Sequence, residues 1–107
     1  MKSIMFSMAI AGMLGAGSAM ATDMPPLAKN LGCTACHSID RKIVGPAWMD
    51  VSKKYKGDAG AEAKLIDKVS KGGSGVWGAM PMPPMDPTGA KHADIKKLVD
   101  FVLGLAK

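Results

Sequence analysis

Cys33, Thr34, Ala35, Cys36 and His37 are consecutive, and they use every cysteine in the chain. Two thiols three residues apart on one helical turn point the same way. Each can add to one of the two vinyl groups along a porphyrin edge, and the histidine that follows is carried beneath the ring, where its imidazole can bind iron. The run is therefore the signature of covalent haem attachment. Thioether formation also explains how two thiols escape pairing with each other in an oxidising compartment. Two other chemistries use the same residue types. A thioredoxin-like redox pair needs a strand-helix-strand setting, and no strand pattern is visible here. A structural zinc site takes four protein ligands; Cys33, Cys36, His37 and His92 supply four on paper, but His92 stands far along the chain, near the start of a helix.

The sixth coordination position separates a carrier from a catalyst. An open position admits small ligands, whereas a filled one leaves the iron able to do little except change charge. Met24, Met49, Met80, Met82, Met85 and His92 are the candidates. Met24 and Met49 lie close to the attachment run or on a helix stripe, where core packing accounts for them. Met82 lies 45 residues after His37, far enough for the chain to travel round a ring to its other side. Pro81 precedes it and Pro83 and Pro84 follow, so its backbone has little freedom to lose on binding. Met82, rather than Met80 or Met85, is the expected ligand.

The elements that must position these groups are helical. Leu27 and Leu31 repeat at helical spacing after Pro25 and Pro26, which predicts a first helix beginning near Asp23 and running into the cysteine pair. Trp48, Val51 and Tyr55 predict a second, ending near Gly57. Asp58 is placed to cap a third, in which Ala61, Leu65 and Val69 share a face and which Gly72-Gly73 terminates. Ile95, Leu98, Val99 and Val102 form the apolar stripe of the last. Between these, Gly72 to Gly89 is so rich in glycine and proline that no periodicity survives, and the segment is expected to be loop. Its apolar residues Val76, Trp77, Met80, Met82 and Met85 imply that it packs on something. The expected class is all-α, with about four short helices wrapped around one covalently bound haem.

Residues 1–21 differ in composition from all that follows. Lys2 is followed by an apolar stretch and then small residues, the layout of a secretory signal, and Ala19-Met20-Ala21 places the expected cleavage between Ala21 and Thr22. An uncleaved anchor is the weaker alternative, because the apolar core is short and glycine-broken against the about 20 residues that span a bilayer. Residues 22–107 then form a single domain with 13 basic and 9 acidic residues. So small a domain, with only Trp48, Tyr55, Trp77 and Phe101 as aromatic filling, needs a staple or cofactor to be stable. The basic excess fits either a solvated face or docking to an acidic partner, and no export-compatible nucleic-acid motif accompanies it.

Further stretches carry a resemblance to a known family. Cys33 to His37, Val44-Gly45-Pro46-Ala47, Gly60-Ala61-Glu62-Ala63, Gly75-Val76-Trp77-Gly78 and Pro81-Met82-Pro83-Pro84 together resemble the bacterial class I cytochromes of the c-551/c-552 type, over nearly the whole of residues 22–107. The resemblance implies one haem c per chain, held by two thioethers, with His37 and Met82 axial. It implies that the Pro46 carbonyl accepts a hydrogen bond from the axial histidine, that Trp77 donates to a haem propionate, and that Lys68 approaches a propionate. Such outer bonds orient the imidazole and tune the iron. Two departures stand out: Met85 occupies the place where relatives commonly have an asparagine supporting the methionine, and Asp86 to Lys91 is slightly long.

The function these readings imply is that of a periplasmic electron carrier, not an enzyme. It would be a monomer without stable membrane insertion. Its partners would be redox proteins, a donor and an acceptor such as a membrane cytochrome complex, a reductase or an oxidase. Lys29, Lys42, Lys53, Lys54 and Lys56 are candidates to ring the exposed haem edge, giving fast, salt-sensitive docking. The alternatives are a small peroxidase-like haem enzyme, against which stands the lack of a distal histidine and arginine pair, and a haem-based sensor with a displaceable distal ligand.

Overall fold

The computed structural model describes residues 23–106. The predicted signal segment and its cleavage point lie outside the described residues.

Helix α1 spans Pro26–Asn30, followed by a short 3-10 turn, Cys33–Ala35. The helix begins three residues later than the sequence predicts. Pro25 is held extended at ψ 147°, as a residue ahead of another proline must be, and Pro26 opens the helix where no backbone N–H is needed. Helix α2, Trp48–Lys54, buries Trp48, Val51 and Ser52. Helix α3, Ala61–Lys71, buries Ala61 and Leu65 and ends at Gly72. Asp58 does not cap it: the helix starts three residues on, after Gly60, with no side-chain cap. Its carboxylate instead braces the preceding turn, accepting from the Gly60 N–H at 2.8 Å and from Lys64 Nζ at 2.8 Å. The Lys64 ammonium, followed by the Gly60 N–H, holds that carboxyl below its ordinary value.

Helix α4, His92–Leu103, buries Ile95, Leu98, Val99 and Val102, the predicted stripe, and packs on α1, α2 and α3. It is the spine of the core, with Ile95 fully buried. Two ties fix it. Lys96 reaches Glu62 on α3 at 3.5 Å and Asp100 on its own helix at 2.9 Å. Buried Ser52 of α2 donates from Oγ to the Leu103 carbonyl at 3.2 Å and accepts from the Ala106 N–H at 3.0 Å.

The segment after α3 departs from the expected loop. It folds into an antiparallel hairpin of β1, Gly73–Gly75, and β2, Gly78–Met82, pairing Gly73 with Met82 and Gly75 with Gly78, with an irregularity between. Gly75 at φ 115° and Gly78 at φ 111° flank the Val76-Trp77 turn, in a region side chains rarely enter. The same glycines that permit the turn erase the alternation by which a strand is recognised. Four helices and this small hairpin, with no helix among the described residues long and apolar enough to cross a membrane, make the architecture.

Candidate functional site

One cleft, of about 1030 Å³ counting its open mouth, collects the chemistry. Cys33, Cys36 and His37 line it, Val51, Leu65, Leu98, Val99 and Val102 supply apolar wall from three helices, and the hairpin contributes Trp77, Met80 and Met82.

The cysteine end is built by local backbone bonds. The N–H groups of Cys36 and His37 both donate to the Cys33 carbonyl, at 3.1 and 2.9 Å, which winds the two thiols and the imidazole onto one tight turn. Cys33 is buried, Cys36 is half-buried, and neither thiol is paired. Burial pushes the Cys33 thiol up from its ordinary value.

His37 is oriented by the chain that folds back beneath it. The Gly45 N–H donates to the Cys36 carbonyl at 2.8 Å and the Trp48 N–H to the Ser38 carbonyl at 2.9 Å. This brings the Pro46 carbonyl to 2.8 Å from His37 Nδ1. A carbonyl can only accept, so Nδ1 carries a proton, and in the neutral ring Nε2 is left with a bare lone pair, the form that binds metal. Trp48 stands beside the imidazole, with ring centroids 6.0 Å apart, and meets Phe101 in a T-shaped contact, also at 6.0 Å. Gly45 lies against the same imidazole: a Cβ there would overlap Cε1 and come within 3.0 Å of both nitrogens. No larger residue fits without moving the ring or the turn.

The hairpin end is fixed differently. The Met85 N–H donates to the Val69 carbonyl at 3.0 Å and the Asp86 N–H to the Ser70 carbonyl at 3.2 Å, tying the chain beyond the prolines to α3. Gly72 meets the backbone of Met82, Pro83 and Pro84 so closely that a Cβ would strike all three residues. Among the methionines, Met82 is half-buried on the cleft and Met80 lines it while 66% exposed. Met85 and Met24 pack against the core cluster instead, and Met49 is half-buried on α2, away from the cleft lining. His92 is exposed at the start of α4 and is not gathered with the cysteines: among the described residues no group of three or more His, Cys, Asp or Glu side chains is placed to hold a metal ion by itself.

Lys68 and Trp77 also line the cleft. The Lys68 ammonium lies over Gly73, 3.1 Å from where a Cβ would stand, and Lys54 Nζ sits 5.8 Å from the centre of the Trp77 ring and 5.9 Å from that of Tyr55. The steric role of Gly72 has no signal in the sequence. Met80, a candidate ligand by residue type, shares a face with Met82 in a way that becomes legible only once residues 78–82 are known to form a strand.

Two unpaired thiols on one turn, an imidazole with its far nitrogen bare, a thioether and otherwise apolar walls fit a covalently bound haem. The comparisons agree. The cytochrome c family profile matches residues 15–106. Cytochrome c-551 of Allochromatium vinosum is 51% identical over 98 residues, which cover 92% of this chain and 100% of that protein. Cytochrome c-551 of Pseudomonas aeruginosa is 51% identical over 80 residues, covering 75% of this chain and 77% of the relative. Among solved structures, wild-type Nitrosomonas europaea cytochrome c552 superposes with a TM-score of 0.68 at 44% identity, covering 74% of this chain and 95% of its own. With Cys33, Cys36 and His37 in the attachment run, and with helices and hairpin closing on one cleft, the chain belongs to the cytochrome c family, whose cofactor is covalently bound haem c.

Proposed function

We propose that this chain is a periplasmic one-electron carrier in which Cys33 and Cys36 hold haem c and His37 and Met82 are its axial ligands. The observation that carries the reading is that one apolar cleft receives both donor types, the bare Nε2 of His37 and the thioether of Met82. When bound, the haem supplies an iron that changes charge by one electron. The chain's own groups set the conditions. Pro46 holds the imidazole in one tautomer and orientation. The thioether favours the lower oxidation state more than a second imidazole would, and apolar walls disfavour the extra charge of the higher one, so the potential is positive. With both axial positions taken, no site is left for a substrate.

Trp77 and Lys68 are the groups we assign to the propionate edge, a role carried over from the c-551/c-552 resemblance and supported by their place on the cleft wall. The partners are redox proteins, a donor and an acceptor, met at the cleft mouth. The lysine excess draws an acidic surface, over a reach of about 8 Å at physiological salt. Export follows from the composition of residues 1–21.

Carbon monoxide tests the carrier reading against a sensor or a peroxidase-like enzyme. The ferrous protein at neutral pH is expected to show no spectral change under carbon monoxide. Prompt formation of a carbon monoxide adduct would show a displaceable ligand and overturn the proposal.

A further inference from the structure

Met80 is the cleft-facing thioether that the proposed ligation leaves unused. It lies two residues before Met82 on β2, and residues two apart on a strand face the same way. Both side chains line the cleft that His37 lines. Core packing accounts for Met24 and Met85 but not for Met80, which is 66% exposed and outside the core cluster. An unbranched thioether with three rotatable bonds adapts readily to a new position.

The strand that carries it can shift. Its partner β1 is Gly73-Ser74-Gly75, all three exposed, and the pairing is already irregular between Gly73 and Gly75. Register is weakly specified in glycine-rich strands, and a slip of two residues keeps the same side chains facing inward. Such a slip moves the chain by about 6.8 Å along the strand, the step that separates Met80 from Met82. Pro81, Pro83 and Pro84 are exposed, so bulging them outward buries nothing, and what it gives up is the close contact of Gly72 with the backbone of Pro83 and Pro84.

We propose that Met80 is a reserve ligand of this cleft, which places its sulfur on the iron when the Met82 thioether is lost. The inference rests on the His37 and Met82 reading. Met82 remains the resident ligand while it is present, for two reasons. The Met85 and Asp86 bonds to α3 and the close contact at Gly72 fix the chain just beyond it. Prolines on both sides restrict Met82, whereas Met80 has Ala79 before it and loses more entropy on binding.

The test uses the haem-loaded protein and three variants, Met80→Ala, Met82→Ala and the double substitution. It reads the weak far-red band of the ferric state that reports sulfur on iron, and the upfield-shifted ligand methyl resonance of the ferrous state. Because the cysteines hold the haem covalently, every variant keeps it. The band and a shifted methyl are expected in wild type and in both single variants, and their loss in the double variant. Loss of the band in Met82→Ala alone would overturn the reserve role and leave the Met82 reading standing. Loss in Met80→Ala alone would make Met80 the resident ligand and overturn both. Persistence in the double variant would overturn the reserve role of Met80, since another methionine would then supply the sulfur.

Discussion

His37 shows how few contacts decide the chemistry of a side chain. The 2.8 Å approach of the Pro46 carbonyl fixes which nitrogen holds the proton, and Gly45 fixes where the ring can stand. Both lie in Val44-Gly45-Pro46-Ala47, and both can be disturbed by one methyl group. Gly45→Ala places a Cβ against Cε1 and within 3.0 Å of both nitrogens, so either the ring tilts or the turn retreats, and the bond to Pro46 lengthens. With His37 on the iron as proposed, a weaker bond at Nδ1 would make the imidazole a poorer donor, which disfavours ferric iron. The potential of Gly45→Ala is therefore expected to rise, with a stability loss of about 1–3 kcal/mol typical of overpacking. Potentiometry checks the first and denaturant unfolding the second; an unchanged potential would mean that the Pro46 bond does not tune the site. At this scale the sequence was informative. Cysteine and histidine spacing is a local property of the chain, and it stands in the residues themselves.

Among the elements, legibility follows periodicity. The α4 stripe of Ile95, Leu98, Val99 and Val102 is buried as its spacing predicts, because a helix that buries one face must repeat apolar residues every three to four positions. The hairpin was not legible. Gly73, Gly75 and Gly78 have no side chains to alternate, and Pro81 reads as a break, although an edge of a two-stranded sheet tolerates proline. Start points were also missed, at α1 and α3, because proline and turn geometry displace them by a few residues. Nor could a sequence pattern show that Ser52, on the buried face of α2, joins that helix to the chain end through the Leu103 carbonyl and the Ala106 N–H. Ser52→Ala leaves both groups without that partner. A cost of about 1–3 kcal/mol is expected for such stranded polar groups, seen as a lower denaturant midpoint with an unchanged slope. The far-red band should be unaffected, since Ser52 does not line the cleft. A midpoint equal to wild type would show that the tie contributes nothing.

For the molecule as a whole, the cleft is what the separate parts have in common. A core with so few aromatic residues is closed on one side by α2, α3 and α4, and its remaining apolar wall faces the hairpin and the attachment turn. The binding of a large apolar group there completes the core, as the size of the domain requires. In the proposed ligation His37 and Met82 would both be committed to the iron and no open position would be left for a substrate, which is the central claim of the proposal: one covalently held haem that exchanges single electrons. A redox titration of the haem-loaded protein, followed by its absorption spectrum, tests that claim most directly. The account predicts one reversible one-electron step at a positive potential, with the far-red sulfur band present only in the oxidised form. No reversible step, a negative potential, or an oxidised form without the band would contradict it.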